Sequence, residues 1–150
     1  CEDAVLMEGW MKFVVDGLGP SLAPFAAAGY DSPRTTLMWC VVVASLAKPF
    51  GAHLPTYDLV RCRHLGLLMG GLSFLWCLVL FAAFQFRNPP FRHQGWTLVV
   101  LWTVASFAAG YVHAMIFVEL GLRCKEGGFG SVQRQRCYRW AGMSTQVGAL

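Results

Sequence analysis

Between Gly95 and Leu122 the chain reads GWTLVVLWTVASFAAGYVHAMIFVELGL, and no other stretch limits the possible folds so strongly. As a helix its 28 positions rise about 42 Å, more than the ~30 Å hydrocarbon core of a bilayer. The run is read as a membrane span. Ala105/Ala109 and Ser106/Gly110 each fall four apart and leave one face small enough for a neighbouring helix to approach its backbone. Tyr111, His113 and Glu119 follow that face. Such groups cost free energy in lipid and turn toward protein or a wet cavity, so the helix belongs to a bundle.

The rest of the chain agrees with that environment. It has 150 residues, of which 56% are hydrophobic and 13% charged, and its mean hydropathy is +0.49; this is too apolar for an ordinary soluble domain and too long for one anchor. Further spans are expected at 35–51 and 65–86. A less regular one at about 5–30 is interrupted by Glu8, Lys12, Asp16, Pro20 and Pro24. The stretch 138–150 begins like a span but would rise only about 20 Å. The expected fold is therefore an all-α, polytopic helical membrane bundle, with four full spans and the start of a fifth. It reads as a fragment of a larger membrane protein, and no signal peptide can be argued at its start.

Net charge is +4, which could suggest nucleic acid, but the Lys and Arg lie almost wholly between the expected spans. The positive-inside rule accounts for them and no nucleic-acid partner is expected. The connections 51–64 and 123–139 carry seven basic residues against three in 31–34 and 87–94, which puts the first pair in the cytoplasm. Of the six cysteines, Cys40 and Cys77 lie in spans, and Cys62, Cys124 and Cys137 lie in connections assigned to the reducing side, so free thiols are expected. No Cys-x-x-Cys or Cys/His cluster has zinc-ligand spacing. Gly127, Gly128 and Gly130 lack the Lys-Ser/Thr ending of a phosphate loop. With no paired carboxylates and no nucleophile–base constellation, neither an enzyme nor a bound cofactor is expected.

Irregularity and charge inside the spans point to function. Gly17, Gly19, Pro20 and Pro24 should break the first helix at mid-depth, beside Asp16; broken helices of this kind recur at transporter substrate sites, and a re-entrant or interfacial segment is the plainer alternative. Lys48 has two readings: a side chain that snorkels to the cytoplasmic headgroups, or an ion pair with Asp16 inside the bundle. Gly66 and Gly70 form a GxxxG expected to mark helix packing. Pro89 and Pro90 end the third span and make it an antiparallel neighbour of the fourth. His113 is either a neutral packing histidine or a cavity group that binds substrate or a proton. Glu119 is read as a solvated interfacial charge.

Four short motifs in register give a resemblance over nearly the whole chain. Asp16-Gly17-Leu18-Gly19-Pro20-Ser21 resembles an Asn-Gly-x-x-Pro-Ser turn, and Ala47-Lys48-Pro49-Phe50 an Ala-Asn-Pro-Leu. Tyr111-Val112-His113 resembles a Tyr-Val-Lys, and Gln146-Val147-Gly148-Ala149-Leu150 a Gln-x-Gly-Ser-Leu. These are motifs of the solute-carrier riboflavin transporters, and the chain looks like the C-terminal part of that family, about its seventh to eleventh spans. The resemblance implies a major-facilitator-like or equilibrative-transporter-like C-terminal half, an N-terminal transmembrane half as partner, and uptake of riboflavin across the plasma membrane. The departures are Asp16 and Lys48 where the family has Asn, Leu22-Ala23 where it has a polar position, and His113 where it has Lys.

A flavin needs flat apolar surfaces for its ring and hydrogen-bonding groups for its ribityl chain. The expected substrate-binding residues are Asp16, Trp39, Lys48, Trp102, Tyr111, His113 and Gln146, with Trp76 as a further aromatic candidate. The rival class is a multispan structural or scaffolding protein that does not transport, supported by the scarcity of strongly polar groups in the third span.

Overall fold

The computed structural model describes residues 2–57, 64–84 and 95–126, and toward the C-terminus residues 132, 135, 136, 138–140, 142 and 143. The described chain is all-helical, with no strand. Helix α1 (Glu2–Lys12) passes through a π-helical segment (Phe13–Leu18) into α2 (Gly19–Ala28). Next come α3 (Pro33–His53), a 3-10 turn (Leu54–Thr56), α4 (Leu65–Phe84) and α5 (Trp96–Glu126). The expected partial span at 138–150 lies largely outside the described residues, as do Pro89, Pro90 and the glycines of 127–130.

The expected mid-depth break in the first segment is a change of helical register rather than an unwound stretch. Gly19 N–H donates to the carbonyl of Val14, five residues back. In an uninterrupted α-helix Pro20 would clash with the carbonyl of Asp16 and offer it no donor; the wider turn absorbs this and leaves Pro20 in the first turn of α2. Pro33 opens α3 in the same way, and Thr36 N–H donates to Ser32 O at 2.9 Å. Helix α3 then continues through Pro49 to His53, past the expected end at Gly51.

The chain's most extensive contact is between α3 and α5, and glycines at both ends set it. A Cβ on Gly95 would collide with Thr36 Oγ1, one on Gly51 with Phe107 O, and one on Gly110 with Lys48 O. Along each helix the two contact points lie fifteen residues apart, Thr36 to Gly51 and Gly95 to Gly110, so the helices run parallel in constant register. Gly110, from the small-residue face read from the sequence, lies in this contact and is buried; Ala105 and Ala109 of the same face are fully buried. Helix α4 packs on α5 and α2 through Leu72, Trp76 and Val79. Its GxxxG does not mark a seam. Nothing within 4 Å would meet a Cβ on Gly66, Gly70 or Gly71, because they lie off the buried stripe of Leu65, Leu72, Trp76 and Val79.

Among the described residues, two helices are long and apolar enough to cross a membrane, Pro33–His53 and Trp96–Leu122. Of the other two expected spans, α4 offers the shorter apolar stretch Leu65–Phe81, and the first segment carries Glu8, Lys12 and Asp16. The core is apolar, but large apolar side chains also lie on the outside and two charged ones lie inside. Leu6, Phe50 and Leu67 are 71%, 68% and 75% exposed, while Glu8 is 0% and Lys12 8% exposed. Hydroxyls on the helices turn back onto their own backbones, Ser45 Oγ to Val41 O at 2.7 Å and Thr103 Oγ1 to Val99 O at 2.6 Å, which keeps a polar group satisfied without water.

Candidate functional site

The site is built on a repeat of four along the first segment. Glu8, Lys12 and Asp16 succeed one another at i, i+4 and i+8 and so line one face, which points into the bundle. Lys12 Nζ donates to Asp16 Oδ2 at 3.0 Å. Lys48 Nζ reaches across from α3 to the other carboxylate oxygen, Oδ1, at 2.6 Å. One carboxylate thus holds two ammonium groups, one from its own helix and one from a helix distant in sequence. Of the two readings of Lys48, the ion pair with Asp16 is the one present. With the Lys48 backbone pressed on Gly110 and its side chain one-third exposed, its charge is met by Asp16.

Beside this pair is a cavity of about 410 Å³, within the range that small-molecule sites occupy. Asp16, Lys48, Ser45 and Ser106 are its polar wall; Trp76 and Trp102 are its aromatic wall. The two indoles meet edge to face, with centroids 5.4 Å apart and planes at 77°. Gly19 makes that placement possible, since a Cβ there would come within 2.8 Å of the Trp76 ring. The buried Trp76 Nε1 finds no acceptor among the described residues.

No family model, curated protein or solved structure matches the chain. What the site can do is therefore argued from its own atoms. Of the residues singled out from sequence, Asp16, Lys48, Trp102 and the further candidate Trp76 share this cavity. Trp39 does not. It lines a separate recess of about 210 Å³ with Asp31, Thr36 and Trp96, nearer the start of α3, and its ring lies 5.9 Å from that of Trp96. Tyr111 is half-buried, with its backbone N–H beside Gly51, and is not part of the cavity wall. Gln146 lies outside the described residues.

His113 also stands apart from the cavity wall and has a partner that the sequence reading missed. Its Nδ1 lies 2.8 Å from Oε1 of the fully buried Glu8, and its ring packs edge-on against Phe117 at 5.0 Å. The spacing of Glu8, Lys12 and Asp16 signals a shared charged face, though not its meeting with His113. Cys40 and Cys77 are free thiols, the first buried and the second exposed. Among the described residues no three His, Cys, Asp or Glu side chains gather in a metal-binding group.

Chemically, the cavity offers strong donors at one end, hydroxyls along one side and indole edges at the other. It suits a solute with a flat ring and several hydrogen-bonding oxygens.

Proposed function

We propose that the chain forms part of a membrane carrier that takes up riboflavin across the plasma membrane by alternating access, with the cavity at Asp16, Lys48, Trp76 and Trp102 as the solute site. One observation carries the reading: the half-buried Asp16–Lys48 ion pair, joined to the buried Lys12, borders a ligand-sized cavity between helices with exposed apolar side chains. Charges at such depth are costly and are characteristically kept where a solute or ion passes.

The resemblance to riboflavin transporters selects the solute. Its two Asn-to-charge departures, at Asp16 and Lys48, have opposite signs and are in contact with each other, so together they add no net charge to the site. Trp76 and Trp102 supply surfaces for a fused ring, the unpartnered indole N–H of Trp76 suits a ring carbonyl, and Ser45 and Ser106 suit ribityl hydroxyls. The four-span bundle with a fifth begun, joined to an N-terminal half, belongs to the same proposal.

Radiolabelled riboflavin uptake into cells expressing the full-length protein tests it, with competition by other heterocyclic and nucleoside-like solutes. Saturable uptake, competed best by flavins, is expected. Absence of saturable uptake would leave a non-transporting membrane scaffold as the better reading.

A further inference from the structure

The recess at Trp39 and Trp96 lies at the opposite end of the α3–α5 contact from Gly51 and Lys48. Its volume, about 210 Å³, is below the ~300–1,000 Å³ of sites that enclose a whole small molecule, so it fits one end of a ligand whose remainder lies outside. The two indoles, with ring centroids 5.9 Å apart, supply aromatic surface; Asp31 supplies a carboxylate, and Ser32 and Thr35 supply hydroxyls. Electron-rich indole beside a carboxylate attracts an organic ammonium group.

From this recess the seam between the two helices continues as an apolar track, exposed among the described residues. Val42, Leu46 and Phe50 follow Trp39 on α3 at steps of three or four, and Val100, Val104 and Phe107 follow Trp96 on α5 in the same way. The two stripes flank one seam: the tryptophan rings meet at one end, and at the other the Phe107 carbonyl lies against Gly51, the neighbour of Phe50. From tryptophan to phenylalanine is eleven residues on each helix. That is a rise of about 16 Å, half of a ~30 Å hydrocarbon core and so the depth of one leaflet.

We propose that this seam binds one phospholipid, with an ammonium headgroup in the Asp31–Trp39–Trp96 recess and an acyl chain along the paired stripes. The proposal requires α3 and α5, the two described helices long and apolar enough to cross a membrane, to lie in a bilayer. It does not require the cavity at Asp16 to carry a flavin. A free ammonium solute would fill the recess but leave the track beyond it without a role. A protein helix packs closely on small residues, whereas these stripes are built of Val, Leu and Phe. A lipid accounts for recess and track together.

The test uses the purified full-length protein in detergent, given phosphatidylcholine or phosphatidylglycerol with identical acyl chains and weighed intact by native mass spectrometry. The expected result is one phosphatidylcholine retained per chain as detergent strips the rest, preferred over phosphatidylglycerol by about fivefold or more, the scale of a cation–aromatic contact. Equal retention of the two lipids would describe an ordinary annulus, and no retained lipid a seam covered by protein; either overturns the proposal. Free choline at millimolar concentration should leave the retained lipid in place. Choline bound with no lipid retained would make the recess a site for a small ammonium solute and would also overturn it.

Trp96→Ala in the recess and Leu46→Ser on the track should each lower the retained fraction, while Trp10→Ala, an exposed tryptophan of α1, should not. Retention unchanged in the first two, or lost equally in all three, overturns the assignment to this seam. The headgroup comparison is made on the wild type, so a variant that fails to fold does not protect the idea. Retained phosphatidylcholine without riboflavin uptake would sink the carrier and leave the lipid site standing.

Discussion

Gly51 of α3 and Gly110 of α5 each face the other helix's backbone with no room for a side chain. A Cβ on Gly51 would strike Phe107 O, and one on Gly110 would strike Lys48 O, so the two helices are pressed together at the level of Lys48. Since backbone cannot move aside as a side-chain tip can, Gly110→Ala should force the helices apart and destabilise the bundle by about 1–3 kcal/mol. Gly70→Ala, where a Cβ meets nothing within 4 Å, should be neutral or stabilising by up to about 1 kcal/mol through helix propensity. Thermal unfolding of both variants in detergent checks the contrast. Equal stabilities would mean that α3 and α5 are not in this register.

Asp16 and Lys48 should behave as a coupled pair. Asp16→Asn leaves the buried Lys12 and the partly exposed Lys48 without their carboxylate, whereas Lys48→Asn leaves Asp16 still holding Lys12. The aspartate change should therefore be the more damaging of the two, and the double change milder than the sum, by about 1–3 kcal/mol of interaction energy. A double-mutant cycle on thermal stability and uptake measures this. Strict additivity would dissolve the pair.

Lipid should reach one set of tryptophans and not the other. Trp10 and Trp96 are more than half exposed, while Trp76 and Trp102 are buried at 3% and 7%. In single-tryptophan variants placed in bilayers of brominated lipid, emission from Trp10 or Trp96 should be quenched strongly and that from Trp76 or Trp102 little. Quenching of all four alike would mean that the helices do not enclose the cavity.

The all-helical character and the positions of α3 and α5 were legible because both depend on local quantities, apolar length and small-residue spacing. The Ala105/Ala109 face could be read for the same reason: a helix presents i and i+4 together whatever its partner. Its partner could not be read. The polarity of 51–64 reads as a loop, yet α3 stays helical to His53, with Gly51 closely approached by α5.

The GxxxG at Gly66 and Gly70 misled in the opposite direction, because spacing shows where a helix could be approached and not whether it is. The Asp16–Lys48 contact was legible as one of two readings through the opposite signs of the departures. Glu8–His113 was not, because nothing in the sequence links two residues so far apart.

The division of tryptophans between two recesses gives the last test. Ser45 lies on the cavity wall beside Lys48 but is itself exposed, so Ser45→Phe should place a ring in solute space while leaving the packing of α3 on α5 intact. Riboflavin affinity should fall at least about tenfold, roughly 1.4 kcal/mol. Trp39→Phe alters the recess formed with Trp96 and should leave affinity within about twofold, since Trp39 does not border the cavity at Asp16. Equilibrium binding followed by flavin fluorescence reads both variants. The reverse pattern, with Trp39 essential and Ser45→Phe tolerated, would move the solute to the Trp39–Trp96 recess.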